Sequence, residues 1–284
     1  MLRIAIDIDS RFSAPAIEAL HEVGVEFAES SSGAIARSNR FPAEVFFMPY
    51  SEIMQNVAVG TLDLGVVGEH HIAENHLVTI EILRSFGSVR SNLSLGVPKN
   101  TIYKGIEWFS GKKIATPYPE ILGKFLKAKN VHAKIVTVSN LTSFVPEAGI
   151  ADAVFDLVNT GTTLLQHNLR EVEVVMQTRP VLIASNGLQS GTHMIVDELL
   201  RRIDAQQAAL GKKLIRMRIK IERQQEITAA LGSDAEPTIV PLAHQGLCIL
   251  SVVMDENHLW DVLTRLKQLE ATDICICPIE KLIL

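Results

Sequence analysis

The sequence predicts an α/β protein with two lobes and a separate ferredoxin-like domain at its carboxyl end. Up to about residue 211, short apolar runs of strand length alternate with segments of helical spacing, which is typical of α/β units with a mainly parallel sheet. The remaining residues give the order β-α-β-β-α-β, which is the ferredoxin-like arrangement. The length of 284 residues favours about two domains and leaves room for a small third one.

The first lobe is predicted to begin with the apolar run Leu2–Ile8, which has the length of a strand. A helix comes next, because Ile17, Leu20 and Val23 fall on one helical face. The predicted elements after the first strand are the helix Ala14–Val23, the strand Glu44–Met48, the helix Glu52–Val59 and the strand Leu62–Val67.

A second unit is predicted to begin near residue 93. Its elements are the strand Lys112–Ala115, the helix Glu120–Lys129 and the strands Ala133–Val138, Ala153–Val158, Glu171–Met176 and Val181–Ala184. A long amphipathic helix, His193–Leu210, is suited to return to the first lobe and lead into a new domain. We therefore assign residues 1–92 to lobe I, completed by about 178–211, residues 93–177 to lobe II, and residues 212–284 to a C-terminal domain.

The elements of the C-terminal domain are the strand Leu214–Ile221, the helix Glu226–Leu231, the strands Thr238–Leu242 and Cys248–Met254, the helix Leu259–Leu269 and the strand Asp273–Pro278. Small domains of this kind often bind regulatory ligands, although the fold alone does not establish that role. The last strand carries Cys275 and Cys277, whose spacing places both thiols on one side. We interpret them as two small core residues and not as a metal or redox site, because no second pair accompanies them.

A short pattern occurs once in each lobe. Gly60 stands three residues before Asp63, and Gly149 stands three residues before Asp152, each time directly ahead of an apolar strand. The repetition predicts two similar lobes that face a cleft. The alternative is chance, because Gly-x-x-Asp is common before strands.

Composition excludes several classes of protein. The net charge of −5 argues against a polyanion-binding protein, so no nucleic-acid partner is expected. Hydrophobic residues make up 47%, which is ample for a core and excludes disorder. No apolar run approaches the roughly 18 residues that a membrane span needs, and no signal peptide is visible. Three cysteines cannot make a disulfide framework, so a cytoplasmic protein without a membrane partner is expected.

A predicted phosphate-binding loop comes after the buried strand of the second lobe. The segment Asp156-Leu-Val-Asn-Thr-Gly-Thr-Thr163 ends that strand in a hydroxyl-rich turn and opens a helix, whose unpaired N–H groups suit a phosphate. Gly161 permits close approach of the backbone, Thr160, Thr162 and Thr163 supply donors, and Asp156 is placed to accept from a sugar hydroxyl. The alternative is an ordinary helix N-cap formed by a threonine.

Three histidines lie close together in the first lobe. His70, His71 and His76 stand near Glu69 and Glu74, but the spacing is not His-Glu-x-x-His, and adjacent histidines point to different sides of a helix. A surface or interface cluster is therefore predicted, and no metal site. The chain also has no Gly-x-Gly-x-x-Gly or Walker loop and no Gly-x-Ser-x-Gly elbow.

Several longer motifs, in a fixed order along the chain, resemble the long form of ATP phosphoribosyltransferase, the first enzyme of histidine biosynthesis. They span essentially the whole chain, and the long middle motif is specific. The motifs are Asp63-Leu-Gly-Val-Val-Gly-Glu69, Gly111-Lys-Lys-Ile-Ala-Thr-Pro-Tyr-Pro119, Pro146-x-x-Gly-x-Ala-Asp-x-Val-x-Asp-Leu-Val-x-Thr-Gly-x-Thr-Leu164, Leu169-Arg-Glu-Val-Glu173, Pro237-Thr-Ile-x-Pro-Leu242 and Pro278-Ile-Glu-Lys281.

The resemblance implies two lobes shaped like a periplasmic binding protein, with the active site between them and an ACT-like C-terminal domain that binds histidine as an inhibitor. It implies a transferase that joins ATP to phosphoribosyl pyrophosphate, with Mg²⁺ on the departing pyrophosphate, in a homo-oligomer between a dimer and a hexamer. The substrate-binding residues carried over are Arg11, Asp156, Asn159, Thr160, Gly161, Thr162 and Thr163, and the resemblance assigns no protein ligand to the metal.

The first lobe departs from the family pattern at polar positions. The family opens with Gln-x-Lys-Gly-Arg-Leu after its first strand, whereas this chain has Asp7-Ile-Asp-Ser-Arg-Phe12 and keeps only Arg11. Two acidic residues in place of Gln and Lys repel phosphates. An opposing hypothesis is therefore a catalytically impaired paralogue that acts as a ligand-binding or regulatory subunit. A third hypothesis is a small-anion binding protein that uses the cleft alone.

The predicted phosphate loop can be tested with Gly161→Val. We expect the variant to lose binding of ribose 5-phosphate compounds while remaining folded, because a side chain at this position keeps the backbone N–H groups away from the phosphate. Calorimetric titration checks the prediction. Unchanged affinity in a folded variant would remove the loop from the site.

Overall fold

The computed structural model describes residues 1–8, 12–28, 34–75, 79–85, 90–138, 146, 148–158, 164–165, 167–188, 191–232, 235–243 and 246–283. These residues form two compact units, Met1–Asp197 and Glu198–Leu284. The division falls inside a long helix, and the domain limits assigned from the sequence stay predictions. No described helix is both long enough and apolar enough to span a bilayer.

The first unit contains two lobes built from strands and short helices. The strands are β1 (Leu2–Asp7), β2 (Ile35–Arg37), β3 (Ala43–Met48), β4 (Leu64–Gly68), β5 (Ile80–Ser85), β6 (Ser91–Pro98), β7 (Lys113–Thr116), β8 (Lys134–Thr137), β9 (Ala153–Val158), β10 (Leu169–Thr178) and β11 (Pro180–Ser185). The helices are α1 (Ser13–Glu22), α2 (Tyr50–Ala58), α3 (Glu69–Asn75) and α4 (Pro119–Ala128), with a 3-10 turn at Ile106–Phe109.

The sheet of lobe I has the order β2-β3-β1-β4-β11-β5. β1 runs parallel to β3 and β4, whereas β11 is antiparallel to both β4 and β5, and β2 is antiparallel to β3. The predicted mainly parallel sheet is therefore wrong for this lobe. The reason is that β11 re-enters the lobe from the other direction after the chain has built lobe II.

The sheet of lobe II has the order β10-β6-β9-β7-β8 and is also mixed. β7 runs parallel to β8 and β9, and β6 is antiparallel to β9 and β10. Its three parallel strands, β8-β7-β9, have the same relative order as β3-β1-β4 in lobe I. Phe109 and Phe155 are the largest fully buried side chains of this lobe and pack in its core with Leu93, Leu122 and Ile114.

The core of lobe I depends on a glycine. Ile53 and Val57 on α2 pack against β4, where Gly65 presents no side chain. A Cβ on Gly65 would clash with the Ile53 side chain and lie 3.3 Å from Val57 Cγ2. The apolar spacing of α2 and this glycine together allow the helix to lie close to the sheet.

The two Gly-x-x-Asp segments form the same structure in both lobes. Gly60 and Gly149 have φ values of +76° and +71°, in the left-handed region that favours glycine. Oδ2 of Asp63 accepts the N–H of Arg3 at 2.8 Å, at the start of β1. Oδ2 of Asp152 likewise accepts the N–H of Lys113 at 2.8 Å, at the start of β7. The repeat predicted from the sequence therefore has the same local structure in both lobes.

The second unit is a four-stranded antiparallel sheet with two helices, and α5 (His193–Ala209) runs into it from the first unit. Its further elements are β12 (Lys212–Lys220), a 3-10 turn at Ile221–Arg223, α6 (Gln224–Leu231), β13 (Thr238–Pro241), β14 (Leu247–Asp255), α7 (Glu256–Gln268) and β15 (Thr272–Pro278). The strand order β13-β14-β12-β15 is that of a ferredoxin-like domain, as predicted. Alternate residues of β12 and β14 enter its core with Leu259 and Leu266 of α7.

The interpretation of Cys275 and Cys277 as core residues is wrong. Cys275 is exposed and Cys277 is half-buried, whereas Cys248 on β14 is buried. The physical reason is that β15 lies at the edge of the sheet, and the two thiols lie on the same face as the exposed Arg216 of β12. The sequence spacing correctly placed both thiols on one side.

The two aspartates of the repeat differ in burial, which gives a matched pair of variants. Asp63 is 4% exposed and also binds the Arg3 guanidinium at 3.0 and 3.1 Å, whereas the Asp152 side chain is 42% exposed. We expect Asp63→Ala to lower the free energy of unfolding by about 2–3 kcal/mol, because hydrogen bonds to a charged group are lost in a buried site. Asp152→Ala should lower the free energy of unfolding by clearly less, since water reaches the hydrogen-bond partners of Asp152. Urea denaturation measures both, and equal losses would contradict this reasoning.

Candidate functional site

Each lobe places a reversal of strand order at the carboxyl ends of its parallel strands. In lobe I the chain goes from β1 to β3 on one side of β1 and then to β4 on its other side. A crevice therefore opens beyond the ends of β1 and β4. In lobe II the equivalent crevice opens beyond β7 and β9. Ligands of open α/β sheets bind at such points. The candidate site is therefore formed by the segments that come directly after these four strands.

The segments after β4 and β7 contact each other directly, so the two crevices meet. Tyr118, which comes shortly after β7, packs edge-on against the His70 ring with centroids 5.1 Å apart. His71 stacks on Tyr50, the first residue of α2, with centroids 3.6 Å apart and ring planes within 8°. We call these four residues the junction rings. They form an aromatic contact between the lobes beside the candidate site.

Both histidines of the junction rings are buried, at 1% and 7% exposure for His70 and His71. Of the predicted surface or interface cluster, the surface position is therefore wrong for these two, which lie buried at the contact between the lobes, and His76 lies outside the described residues. The sequence could not show that Tyr118, from the other lobe, covers them. A Cβ on Gly68 would clash with the His70 ring, so this glycine permits the packing.

Burial keeps both imidazoles neutral. It lowers the pKa of His71 from 6.5 to about 4, and it lowers the pKa of His70 well below its ordinary value, with His71 acting in the same direction. His70 Nδ1 lies 2.9 Å from Thr178 Oγ1, and that hydroxyl also accepts the His70 backbone N–H. The histidines thus stabilise the junction as neutral rings and not as cations.

A carboxylate also joins the lobes. Glu74, near the end of α3, accepts the backbone N–H groups of Glu120 and Ile121 at 2.9 and 3.0 Å. These are two of the unpaired donors at the start of α4, where the helix dipole favours a negative charge. Burial, followed by the charges of Asp7 and Glu74, raises the pKa of Tyr50. The lobe I side of the site is therefore acidic.

Positive charge lies where the chain passes between the lobes. Arg90 precedes β6, and Arg179 connects β10 to β11. With Glu69, Gln177 and Thr178 they line a cavity of about 260 Å³. Arg179 Nε lies 3.5 Å from a Glu69 carboxylate oxygen, and the Glu69 N–H donates to the Arg179 carbonyl. Arg90 is exposed and forms no ion pair within the described part of the chain.

Of the residues that the sequence analysis assigned to the site, the structure describes one. Asp156 lies on β9 opposite Ser94 of β6, and its Oδ1 accepts the N–H of Leu157 at 2.7 Å. The other residues assigned to the site lie outside the described residues: Arg11, Asn159, Thr160, Gly161, Thr162 and Thr163. They come after β1 and β9 along the chain, two of the four strands that border the crevices. Among the described residues no group of three or more side chains is arranged to hold a metal ion.

Sequence reasoning missed the role of Glu74 and the cavity that Arg90 and Arg179 line together. The two arginines are 89 positions apart and come together only because both segments pass between the lobes. In the sequence, nothing distinguishes Glu74 from other acidic residues on short helices. No sequence signal identified it, because the N–H groups of Glu120 and Ile121 come within reach of Glu74 only when the lobes are assembled.

Lowering the pH should weaken the fold through the junction rings. The unfolded chain takes up a proton on His71 between pH 6.5 and about 4, while the folded chain resists it, so stability falls as the pH decreases through this range. The full effect is about 3 kcal/mol. We expect His71→Phe, which retains a ring against Tyr50, to lose this share of the pH dependence. Urea denaturation between pH 7.5 and 4.5 measures the free energy of unfolding of the unmodified protein and of His71→Phe. The same dependence on pH in both proteins would contradict the prediction.

Comparisons with known proteins agree with this architecture. The family model for ATP phosphoribosyltransferase matches residues 49–205, and the model described as "HisG, C-terminal domain" matches residues 209–281. The curated ATP phosphoribosyltransferase of Bacteroides fragilis is 38% identical over 284 residues, and that of Parabacteroides distasonis is 39% identical over 283 residues. Both alignments cover 100% of this chain and 100% of the relative.

A solved structure shares the fold over 72% of this chain. The ATP phosphoribosyl transferase (HisG:HisZ) complex from Thermotoga maritima gives a TM-score of 0.59 at 22% identity, covering 72% of this chain and 96% of that one. The predicted fold class, two lobes of the periplasmic-binding-protein type and a C-terminal domain, is confirmed. Since a family model spans more than half of the chain and relatives align over its full length, the chain belongs to the ATP phosphoribosyltransferase family.

Proposed function

We propose that this protein is an ATP phosphoribosyltransferase of histidine biosynthesis. It joins N1 of the ATP adenine to C1 of phosphoribosyl pyrophosphate and releases pyrophosphate. The observation that carries the proposal is the full-length similarity, at 38–39% identity, to enzymes of that name. The two facing crevices support it, because the reaction needs two substrates brought together between two lobes.

We assign the ribose 5-phosphate of phosphoribosyl pyrophosphate to lobe II. Asp156 and the residues Asn159, Thr160, Gly161, Thr162 and Thr163 are taken from the motif that the family model includes. This segment comes directly after β9 along the chain, and β9 is one of the two strands beside the lobe II crevice. Backbone N–H groups at such a turn bind phosphate without a cationic side chain. Arg11, shortly after β1, is assigned to the lobe I side of the same site.

Arg90 and Arg179 are proposed to bind phosphate groups of the substrates. They provide positive charge in a cavity whose lining also includes Glu69. Guanidinium groups pair with phosphate oxygens through two hydrogen bonds, which fixes orientation as well as charge. The ion pair with Glu69 holds Arg179 in place, whereas Arg90 is left to bind a ligand.

The reaction develops positive charge on the sugar and negative charge on the leaving pyrophosphate. Fixed charges around both groups lower the barrier, because they need no reorganisation during the reaction. Members of the family generally need a divalent metal ion. We propose Mg²⁺ carried by the pyrophosphate as part of the substrate, since Mg²⁺ keeps several waters and binds through phosphates with few protein ligands. The junction rings exclude water from one side of the cleft.

Three further properties are proposed from the family. The C-terminal unit is expected to bind histidine as an inhibitor, since its sequence matches the C-terminal family model. A symmetric homo-oligomer, from a dimer to a hexamer, is expected, with no nucleic-acid or membrane partner. A cytoplasmic location stays a prediction. A ligand on the C-terminal unit can influence the cleft only by favouring one arrangement of the protein over another.

Turnover of ATP and phosphoribosyl pyrophosphate with Mg²⁺ tests the proposal, with pyrophosphate release as the measurement. We expect activity in the unmodified protein and a roughly 10- to 100-fold loss of kcat/KM in Arg90→Ala, because a charge-assisted contact of about 1.5–3 kcal/mol disappears. Arg37→Ala is the matched control, since Arg37 is an exposed arginine of lobe I paired with Glu44.

Two outcomes would contradict this proposal. Binding of phosphoribosyl pyrophosphate without turnover would favour the impaired paralogue, and the acidic lobe I segment would then be its cause. Activity in Arg90→Ala equal to that of Arg37→Ala would show that the cavity between the arginines is outside the site.

A further inference from the structure

The C-terminal unit carries a pair of thiols that the proposed reaction does not use. Cys275 and Cys277 lie on β15, with their sulfur atoms 3.6 Å apart. Cys275 is exposed and Cys277 half-buried, so small molecules in solution reach the pair. We propose that the two cysteines form a reversible intramolecular disulfide, and that this edge of the sheet is a redox-modification site.

The position on β15 supports bond formation. Two residues along a strand are separated by about 6.4–6.8 Å between Cα atoms, and disulfides bridge Cα separations up to about 6.8 Å. A bond therefore forms after a small contraction of the strand. Among the described strands, β15 pairs with β12 alone and already has an irregular register between Arg216 and Arg218, so contraction disturbs a single ladder.

The charges around the pair favour reaction at one sulfur. Arg216 lies opposite Cys275 on β12, and its guanidinium favours a thiolate in the pair. The hydrogen bond with Cys275 raises the pKa of the Cys277 thiol, with Arg216 acting in the opposite direction. Cys275, the more exposed of the two, is the sulfur that an oxidant in solution reaches first, and Cys277 is the thiol that resolves the intermediate.

A hydroperoxide is the proposed oxidant. The Cys275 thiolate attacks one peroxide oxygen, so that an S–O bond forms, the O–O bond breaks, and the leaving oxygen takes a proton. Cys277 then loses its proton and attacks Cys275 Sγ, so that the S–S bond forms and hydroxide leaves as water. The two thiols lose two electrons and two protons, and hydrogen peroxide becomes two water molecules.

Reversibility is expected from strain and exposure. A disulfide at the long limit of the permitted geometry is more easily reduced than a relaxed one, and exposed disulfides exchange with thiols in solution. Glutathione is therefore expected to restore the dithiol without denaturation. Cys248 on β14 is buried, on the opposite face of the sheet from Cys275 and Cys277. It is an internal reference that neither peroxide nor glutathione should reach in the folded protein.

The test uses the full chain treated with a low concentration of hydrogen peroxide. We expect the two accessible thiols to disappear together, with a mass loss of about 2 Da on the peptide that contains both cysteines. Glutathione should reverse the loss. In Cys275→Ser and in Cys277→Ser the loss of 2 Da should vanish, and the remaining thiol should take up glutathione from its oxidised form.

Three results would overturn the proposal. One is the absence of a bridge although both thiols react with a small alkylating agent before oxidation. Another is separate oxidation of each thiol to an acid, which shows that the sulfurs cannot approach. The third is a bridge found only between different chains. The site lies outside the residues assigned to the two substrates, so each result is independent of whether the protein turns over ATP.

Discussion

The arrangement of the two lobes depends on the carboxylate of Glu74. It accepts two N–H groups at the start of α4, so one lobe supplies the anion that the helix of the other lobe requires. Both oxygens are engaged, which fixes direction as well as distance. The contact of Tyr118 with His70 and the cavity lined by Arg90 and Arg179 belong to the same arrangement. The candidate site between the lobes therefore depends on a carboxylate of one lobe that caps a helix of the other.

Each lobe has the same internal plan. An aspartate placed three residues after a left-handed glycine holds the first residues of a central parallel strand, in β1 through Asp63 and in β7 through Asp152. The plan gives each lobe one crevice at the carboxyl ends of its strands. The lobes differ in the segments that follow those carboxyl ends. Lobe I has neutral histidine rings and carboxylates there, and lobe II has a hydroxyl-rich sequence.

Local pattern predicted most elements to within two residues, including β9, which matches at both ends, and the whole order of the C-terminal domain. The pattern did not predict β2, α3, β5 or β6, and statements about neighbours failed as well. The direction of β11 depends on where the chain returns, and the burial of His70 and His71 depends on Tyr118, some 47 positions away. The exposure of Cys275 depends on the face of the sheet that it shares with the exposed Arg216 of β12. Periodicity reports which side a residue faces, but it does not report which element covers that side.

The placement of β11 between β4 and β5 has a consequence for how the protein is made. During synthesis from the amino end, β4 and β5 emerge roughly a hundred residues before the strand that pairs with both of them. Lobe I therefore waits with two open strand edges while lobe II is completed on a contiguous stretch of chain. All strands of lobe II are present once Thr178 has been made, just before β11, the strand that completes the sheet of lobe I. A nascent chain arrested before Pro180 would expose those edges to chaperones and to other copies of itself.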